Sequence, residues 1–336
     1  MATTNVKDVA ALAGVSVGTV SNVLNGSKSV SPATAAKVRD AIAKLGFVRN
    51  DAARQLRAGQ SRTVAMMVLD IGNPFFTDIA RGVEDTLTDY SRSLIVGNSG
   101  QDAARELSYL DLFEEQRVSG LLITPVGSVL PRLERLRQRG TPVVLVDRHG
   151  NADNFSSVSV DDERGGHLAM SHLLDLGRSR IAYVGGPDDI LQVRQRENGA
   201  RDALREHGAG SLTVIHAASM SSQDGRLAGE QMLGLPAAQR PDAVFAANDL
   251  LALGVLQAFT RGGIRVPDDI ALIGYDDIYF AASAAIPLSS IRQPSFDVGR
   301  TATELLMAEV EGTDSGRYQH VVFQPEIVVR ESTAGS

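Results

Sequence analysis

The 336-residue sequence has no cysteine and no tryptophan. Without cysteine, disulfides and thiolate-ligated metals are excluded. The six histidines are scattered, and His167 and His172 stand five apart, which does not bring them to one helical face. A zinc site is therefore not expected, nor is any other cofactor. Lysine is scarce: there are four, Lys7, Lys28, Lys37 and Lys44, all near the N-terminus. No apolar run approaches the roughly 20 residues that a membrane helix needs. The first residues lack the basic-then-apolar pattern of a secretory signal. The expectation is a soluble, cytoplasmic chain with no membrane partner.

What is present is unevenly distributed. The net charge is −7, yet residues 1–62 hold nine basic and three acidic side chains, a local +6 on an acidic remainder. A basic module on an acidic body is the electrostatic footprint of a nucleic-acid-binding head. The length calls for two or three domains, and a hydrophobic content of 43% is ample for conventional cores.

Residues 6–26 carry the sharpest pattern. Val6, Val9, Ala10 and Ala13 recur at helical spacing. A turn follows at Gly14-Val15-Ser16, where Ser16 is placed to cap a second helix through its side-chain oxygen. Val20, Val23 and Leu24 give that second helix its apolar stripe, while Val17, Gly18, Thr19, Ser21 and Asn22 are small or polar and face outward. A helix-turn-helix reader needs this layout, because its second helix enters the DNA major groove. A third helix is predicted after Ser31-Pro32, an N-cap followed by proline at the first helical position. Ala35, Val38, Ile42 and Leu45 line its face, and Gly46 closes it. Residues 50–57 can form two helical turns, too short to stand alone in water, and Ala58 to Arg62 reads as a linker.

From Thr63 onward, short continuous apolar runs alternate with amphipathic helices. The runs at 64–69, 93–96, 120–124, 143–146, 181–184, 214–215, 243–246 and 270–273 have the texture of buried parallel strands. Helices are predicted at 76–90, 104–115, 164–176 and 250–261. The fold class is α/β: an all-α helix-turn-helix head and a doubly wound body. So many strands call for two lobes.

Val6 to Gly26, the third helix and Ala52-Ala53-Arg54-x-Leu56 together resemble the LacI/GalR family of bacterial transcription regulators. The resemblance implies a head at 1–49, a hinge helix and linker at 50–62, and a periplasmic-binding-protein-like effector domain at 63–336. It also implies the crossings: lobe 1 at about 63–160 and 290–319, lobe 2 at about 161–289 and 320–332. DNA contacts would fall on Lys7, Ser16, Val17, Gly18, Thr19, Ser21, Asn22, Asn25, Arg54, Leu56 and Arg57, with Leu56 wedged into the minor groove. Two positions depart from the pattern. Gly18 has no side chain to read a base, and Asn50 stands where the family usually has proline.

Ligands of open α/β sheets sit at the carboxyl ends of strands. The residues after the apolar runs include Asp70, Asn73, Phe75, Phe76, Asp147, Arg148, Arg194 to Arg196, Asn248, Asp249, Asp276, Asp277 and Gln293. Rings, amides, carboxylates and a guanidinium suit a sugar. By resemblance the effector contacts are Phe75, Phe76, Arg148, Arg196, Asn248, Asp276 and Gln293. Each also has a plainer reading: the phenylalanines as core, Asp249 and Asp277 as helix caps, Arg196 as the partner of a surface acid.

The expected function is a repressor that binds palindromic double-stranded operator DNA as a homodimer and answers to a small carbohydrate-like effector. No apolar heptad follows residue 329, so nothing points beyond a dimer. A nicotinamide enzyme is disfavoured: Val184-Gly185-Gly186-Pro187 lacks the Gly-x-Gly-x-x-Gly spacing. A plain solute-binding protein would not carry the basic head. Deleting residues 1–60 should abolish operator binding, read by fluorescence anisotropy, and leave ligand binding intact. Specific operator binding by the truncated body would refute the assignment of the head.

Overall fold

The computed structural model describes residues 4–24, 30–47, 61–127, 129–148, 154–313 and 316–334. The chain divides into two compact units, 1–60 and 61–336.

The first unit holds α1 (Val6–Ala13), α2 (Val17–Leu24) and α3 (Pro32–Leu45). Their ends follow from local chemistry. Asn5 caps α1 and forms a reciprocal capping box with Asp8, and Gly14 ends it in the left-handed conformation. Ser16 Oγ accepts from Thr19 N at 3.1 Å, the cap expected for α2. Ser31 and Gly46 cap α3. Val9, Ala10, Val20, Val38 and Ala41 make the small core.

The second unit contains, in order, β1 (Thr63–Val68), α4 (Pro74–Asp89), β2 (Ser93–Asn98), α5 (Ala103–Glu115), β3 (Gly120–Ile123), α6 (Leu130–Gln138), β4 (Val143–Val146), β5 (Ser156–Val160) and α7 (Asp162–Asp175). There follow β6 (Arg180–Gly185), α8 (Leu191–His207), β7 (Ser211–His216), α9 (Ser222–Leu233), β8 (Ala243–Ala246), α10 (Asp249–Arg261), β9 (Ala271–Asp276) and α11 (Tyr279–Ser283). The last elements are β10 (Ser289–Arg292), α12 (Ser295–Glu311), β11 (His320–Phe323), β12 (Glu326–Val328) and α13 (Glu331–Ala334).

Two six-stranded sheets result, ordered β11-β5-β4-β3-β1-β2 and β12-β10-β9-β8-β6-β7. The first is parallel throughout. The second is parallel except for the antiparallel edge β12. Both run 2-1-3-4-5 from one edge, so each has a switch point where the strand order reverses, beside β1 and beside β6. A crevice opens at the carboxyl ends there. Helices cover both faces, which is why the central strands are apolar without alternation.

Two strands change places relative to the expected lobes. The segment 290–294 was assigned to lobe 1, but β10 pairs with β9, Ile291 opposite Tyr275, in the second sheet. The segment 320–329 was assigned whole to lobe 2, but it is broken at Pro325: β11 pairs with β5 in the first sheet and only β12 joins the second. Proline has no N–H with which to continue a ladder. The chain thus passes between lobes near 161, at 293–294 and at 324–325. Strand β5 was not foreseen, because three of the five residues in Ser156-Ser157-Val158-Ser159-Val160 are serine, yet all five are buried. Its serines are satisfied in part by Glu309 (2.7 Å to Ser156 Oγ) and by His320 Nδ1 (2.8 Å to Ser157 Oγ).

Helices α7 and α8 pack backbone to backbone. A Cβ at Gly199 would lie 1.8 Å from Glu163 O, and one at Gly166 would lie 2.0 Å from Arg196 O. Only glycine permits this approach, and it sets where the first turns of α8 stand. Gly199→Ala should destabilise the body by about 1–3 kcal/mol through overpacking, lowering Tm by roughly 2–4 °C per kcal/mol. Gly234→Ala, where a Cβ meets nothing closer than 3.4 Å, should leave Tm unchanged. Equal melting temperatures for the two variants would contradict the close-packing account.

Candidate effector cleft and DNA-facing helix

Arg196 lies at the centre of the crevice. Its side chain is 4% exposed and sits one turn before Gly199 on α8. Its Nε donates to Asp162 Oδ1 at 2.7 Å, and a terminal nitrogen donates to the Ala247 carbonyl at 2.6 Å. The guanidinium carbon stands 3.6 Å from the centre of the Tyr275 ring, a cation–π contact. Asp276 Oδ1 is 3.8 Å away. Surrounding carboxylates raise the Arg196 pKa, against the lowering effect of its burial.

The carboxylate pKa values are raised as well, but there burial is the cause that raises them. Burial, reinforced by Asp162, holds Asp147 well above the ordinary carboxylate range. Burial also raises Asp162, opposed by Arg196. Burial pushes Asp276 up to about 6, although Arg196, Asn73 and Gln293 favour its ionised form. Three carboxylates around one guanidinium make a net acidic site.

Asp147 and Asp276 have φ of +53° and +105°, a left-handed backbone that is uncommon outside glycine. Both lie where strands run out into the crevice, the sort of place where such strain accompanies function. Their side chains bridge the lobes. Asn73 Nδ2, on the first lobe, donates to Asp276 Oδ2 at 2.9 Å. Gln192 Nε2, on the second, donates to Asp147 Oδ2 at 2.9 Å and also to the Asp147 carbonyl. Gln293 Nε2, in the crossing, donates to Asp276 Oδ1 at 2.8 Å. Among the described residues, Asp147 Oδ1 and Gln293 Oε1 are buried acceptors without a hydrogen-bond partner.

Asn73, Phe75, Phe76, Asp147, Gln192, Arg196, Asn248 and Asp276 line one cavity of about 30 Å³. Of the seven predicted effector residues, five meet here: Phe75, Phe76, Arg196, Asn248 and Asp276. The phenylalanine rings pack edge to face at 5.1 Å and belong to the lobe-1 core, the plainer of the two readings. Asn248 caps α10 through Leu251 N (2.9 Å) and holds the Met220 carbonyl (3.1 Å). Gln293 stands behind Asp276 rather than in the cavity wall. Arg148 faces a second, adjoining cavity of about 280 Å³. Arg196 is also an ion-pair partner, but of buried Asp162 and not of a surface acid.

Asp249 is a strut, not a cap: wholly buried, it accepts from Ile278 N (2.9 Å) and Ser290 Oγ (2.7 Å). Asp277 pairs with Arg292 and Arg330. Gln192 was missed. The signal was its spacing, since residues 192 and 196 share one face of a helix.

In the first unit, α2 presents Val17, Gly18 and Asn22 to solvent, with Val17 42% exposed. Lys7 is exposed on α1. Ser16 and Thr19 are tied to each other, hydroxyl to hydroxyl, at 2.9 Å, and Ser21 is half-buried. Asn25, Arg54, Leu56 and Arg57 lie outside the described residues.

Comparison with known proteins fits both units. The model for bacterial regulatory proteins of the lacI family matches residues 5–50. The model for a periplasmic binding protein-like domain matches residues 170–333. The ribose operon repressor of Bacillus subtilis (strain 168) is 38% identical over 307 residues, 91% of either chain. The transcriptional repressor PurR of Aliivibrio fischeri (strain MJ11) is 33% identical over 333 residues, 97% of either chain. The lac repressor dimer bound to operator and the anti-inducer ONPF superposes with a TM-score of 0.83 at 27% identity, covering 99% of this chain and 100% of that one. With relatives of this identity aligned along nearly their whole length, the chain belongs to the LacI family of bacterial transcriptional regulators and is a repressor-type protein, not an enzyme.

Proposed function

We propose that this regulator binds a palindromic operator as a homodimer and is controlled by a small, uncharged sugar held between the lobes of its effector domain. The observation that carries the effector reading is the polar set joined across the crevice: Asp147 with Gln192 and Asp276 with Asn73, closed around Arg196. Vicinal hydroxyls donate and accept at once, so they suit paired carboxylates and amides. Asp147 Oδ1 and Gln293 Oε1 call for donors, and Phe75 and Phe76 offer apolar faces to sugar C–H groups. The acidic excess disfavours phosphorylated sugars and other anions. Similarity to a ribose operon repressor makes ribose the first sugar to try.

The direct hydrogen bonds between lobes give the coupling its physical form. A cavity of about 30 Å³ holds little more than water. A sugar therefore enters only if the lobes part and its hydroxyls take over the bonds that Asn73 and Gln192 make across the gap. The lobe angle then depends on the effector, and with it the spacing of the two heads over DNA. The dimer reading draws on the lac repressor dimer that this chain resembles and on the paired half-sites that helix-turn-helix proteins occupy.

The test is calorimetric titration of the full chain with a sugar panel beginning with ribose, alongside operator binding. Asp147→Asn should weaken sugar binding by tenfold or more. Affinity should also fall as pH drops from 7 towards 5, because Asp276, with its pKa near 6, must be ionised to accept hydroxyl protons. That loss would not reflect unfolding. A carboxyl raised from 3.8 holds a proton in the folded state across pH 4–6 that the unfolded chain releases, so acidification through this window stabilises the fold. Unchanged affinity in Asp147→Asn, or a flat pH profile, would contradict the proposed contacts.

A further inference from the structure

Two consecutive residues leave β9 with a left-handed backbone, Asp276 at φ +105° and Asp277 at +54°. Such a conformation persists where its surroundings over-determine it. The partners of the Asp276 carboxylate belong to the crevice: Asn73, Gln293 and Arg196. The Asp277 carboxylate has a different set. It is almost wholly buried and lies between two arginines. Arg292 Nε, on β10, donates to Oδ2 at 2.8 Å, and a terminal nitrogen of Arg330 stands 2.7 Å from Oδ1. The Asp277 backbone N–H donates to Ser290 Oγ at 3.0 Å.

Arg330 is itself fastened. The same terminal nitrogen donates to the Leu288 carbonyl at 2.7 Å, and the Arg330 backbone N–H donates to Ser289 Oγ at 2.7 Å. The residues that follow stitch β9 to β10. Ser332 Oγ accepts from Ser289 N at 2.8 Å and donates to the Leu272 carbonyl at 2.6 Å. Buried Thr333 meets His172 Nε2, on α7, at 2.9 Å. A polar clasp at residues 330–333 thus holds the arginine in one place.

We infer that Arg330 is a positioning residue for Asp276. Fixed by the clasp, it anchors Asp277, and the anchored Asp277 keeps its neighbour's carboxylate where Asn73 of the first lobe reaches it. The inference goes beyond the sugar-cleft reading, because it concerns the bridge between the lobes whatever occupies the crevice. Charge supports it. Asp276 and Asp277 both lie close enough to raise the pKa of buried Asp249, after burial itself. The arginines on Asp277 offset this crowding of like charges. Without them, the turn at 276–277 relieves it by moving a carboxylate. One nitrogen makes both side-chain contacts of Arg330, so the point charge of a lysine serves there and an uncharged chain does not.

The test is hydrogen–deuterium exchange on the full chain. The reporter is the Phe75 amide, in the opposite lobe from Arg330, which donates to Asn73 Oδ1 at 3.1 Å. Arg330→Met should speed exchange in residues 73–76 roughly tenfold, about the worth of one charge-assisted hydrogen bond. Arg330→Lys should restore the slow rate. Asp276→Asn should give the same rise, and Arg330→Met added to it should give no more. Should Arg330→Met not fold, Arg292→Met removes the other arm from the same carboxylate and should speed the same residues. Faster exchange confined to 288–292 and 330–334 would overturn the inference, since Arg330 would then fasten the C-terminal segment alone. A further rise in the double variant, or an unchanged rate in 73–76, would also overturn it. The readout needs no sugar, so a failure of the sugar-cleft reading is seen separately.

Discussion

The effector domain is organised around one buried charge. Arg196 is removed from water and is held by Asp162, the Ala247 carbonyl and the face of Tyr275. Breaking such a pair by removing one partner typically costs about 3–5 kcal/mol, because the other charge is left buried and uncompensated. Arg196 is therefore a structural residue of the crevice. Its position depends in turn on the glycine contact between α7 and α8, and on Tyr183, whose hydroxyl holds the Val193 carbonyl at 2.8 Å at the start of α8. The charge that organises the crevice is placed by packing some distance from it.

The same charge works against burial on the carboxylates around it. Asp147, Asp162 and Asp276 all have raised pKa values with burial as the largest cause, and the single guanidinium only partly offsets it. Hydrogen bonds from Asn73 and Gln192 join the lobes directly across the crevice. Three short crossings of the chain join the lobes, so a change in their angle needs no rearrangement within either sheet.

Much of this was legible in the sequence because local chemistry dictated it. The caps Ser16, Ser31 and Gly46 are short-range signals, and each works as its residue type suggests. Continuous apolar runs marked the central strands for the same reason: burial on both faces leaves no room for polar alternation. Strand β5 escaped because two of its serines, Ser156 and Ser157, bond to partners more than 150 residues away, Glu309 and His320. The sheet membership of β10 and β11 escaped because periodicity says that a segment is a strand and not which neighbour it pairs with. Asp249 was ambiguous for a similar reason, since its partners are Ser290, on β10, and Ile278, just before α11. In the crevice, strand ends pointed to most of the wall, whereas Gln192 belongs to a helix and required the helical period.

The central claim is that the crevice and the DNA-facing unit are coupled through the lobes. The most direct measurement is the affinity of the sugar for the full chain, determined with and without saturating operator. The account predicts two different affinities whose ratio equals the factor by which the sugar changes operator affinity, because linkage between sites is reciprocal. Identical sugar affinities in the presence and absence of operator would contradict it.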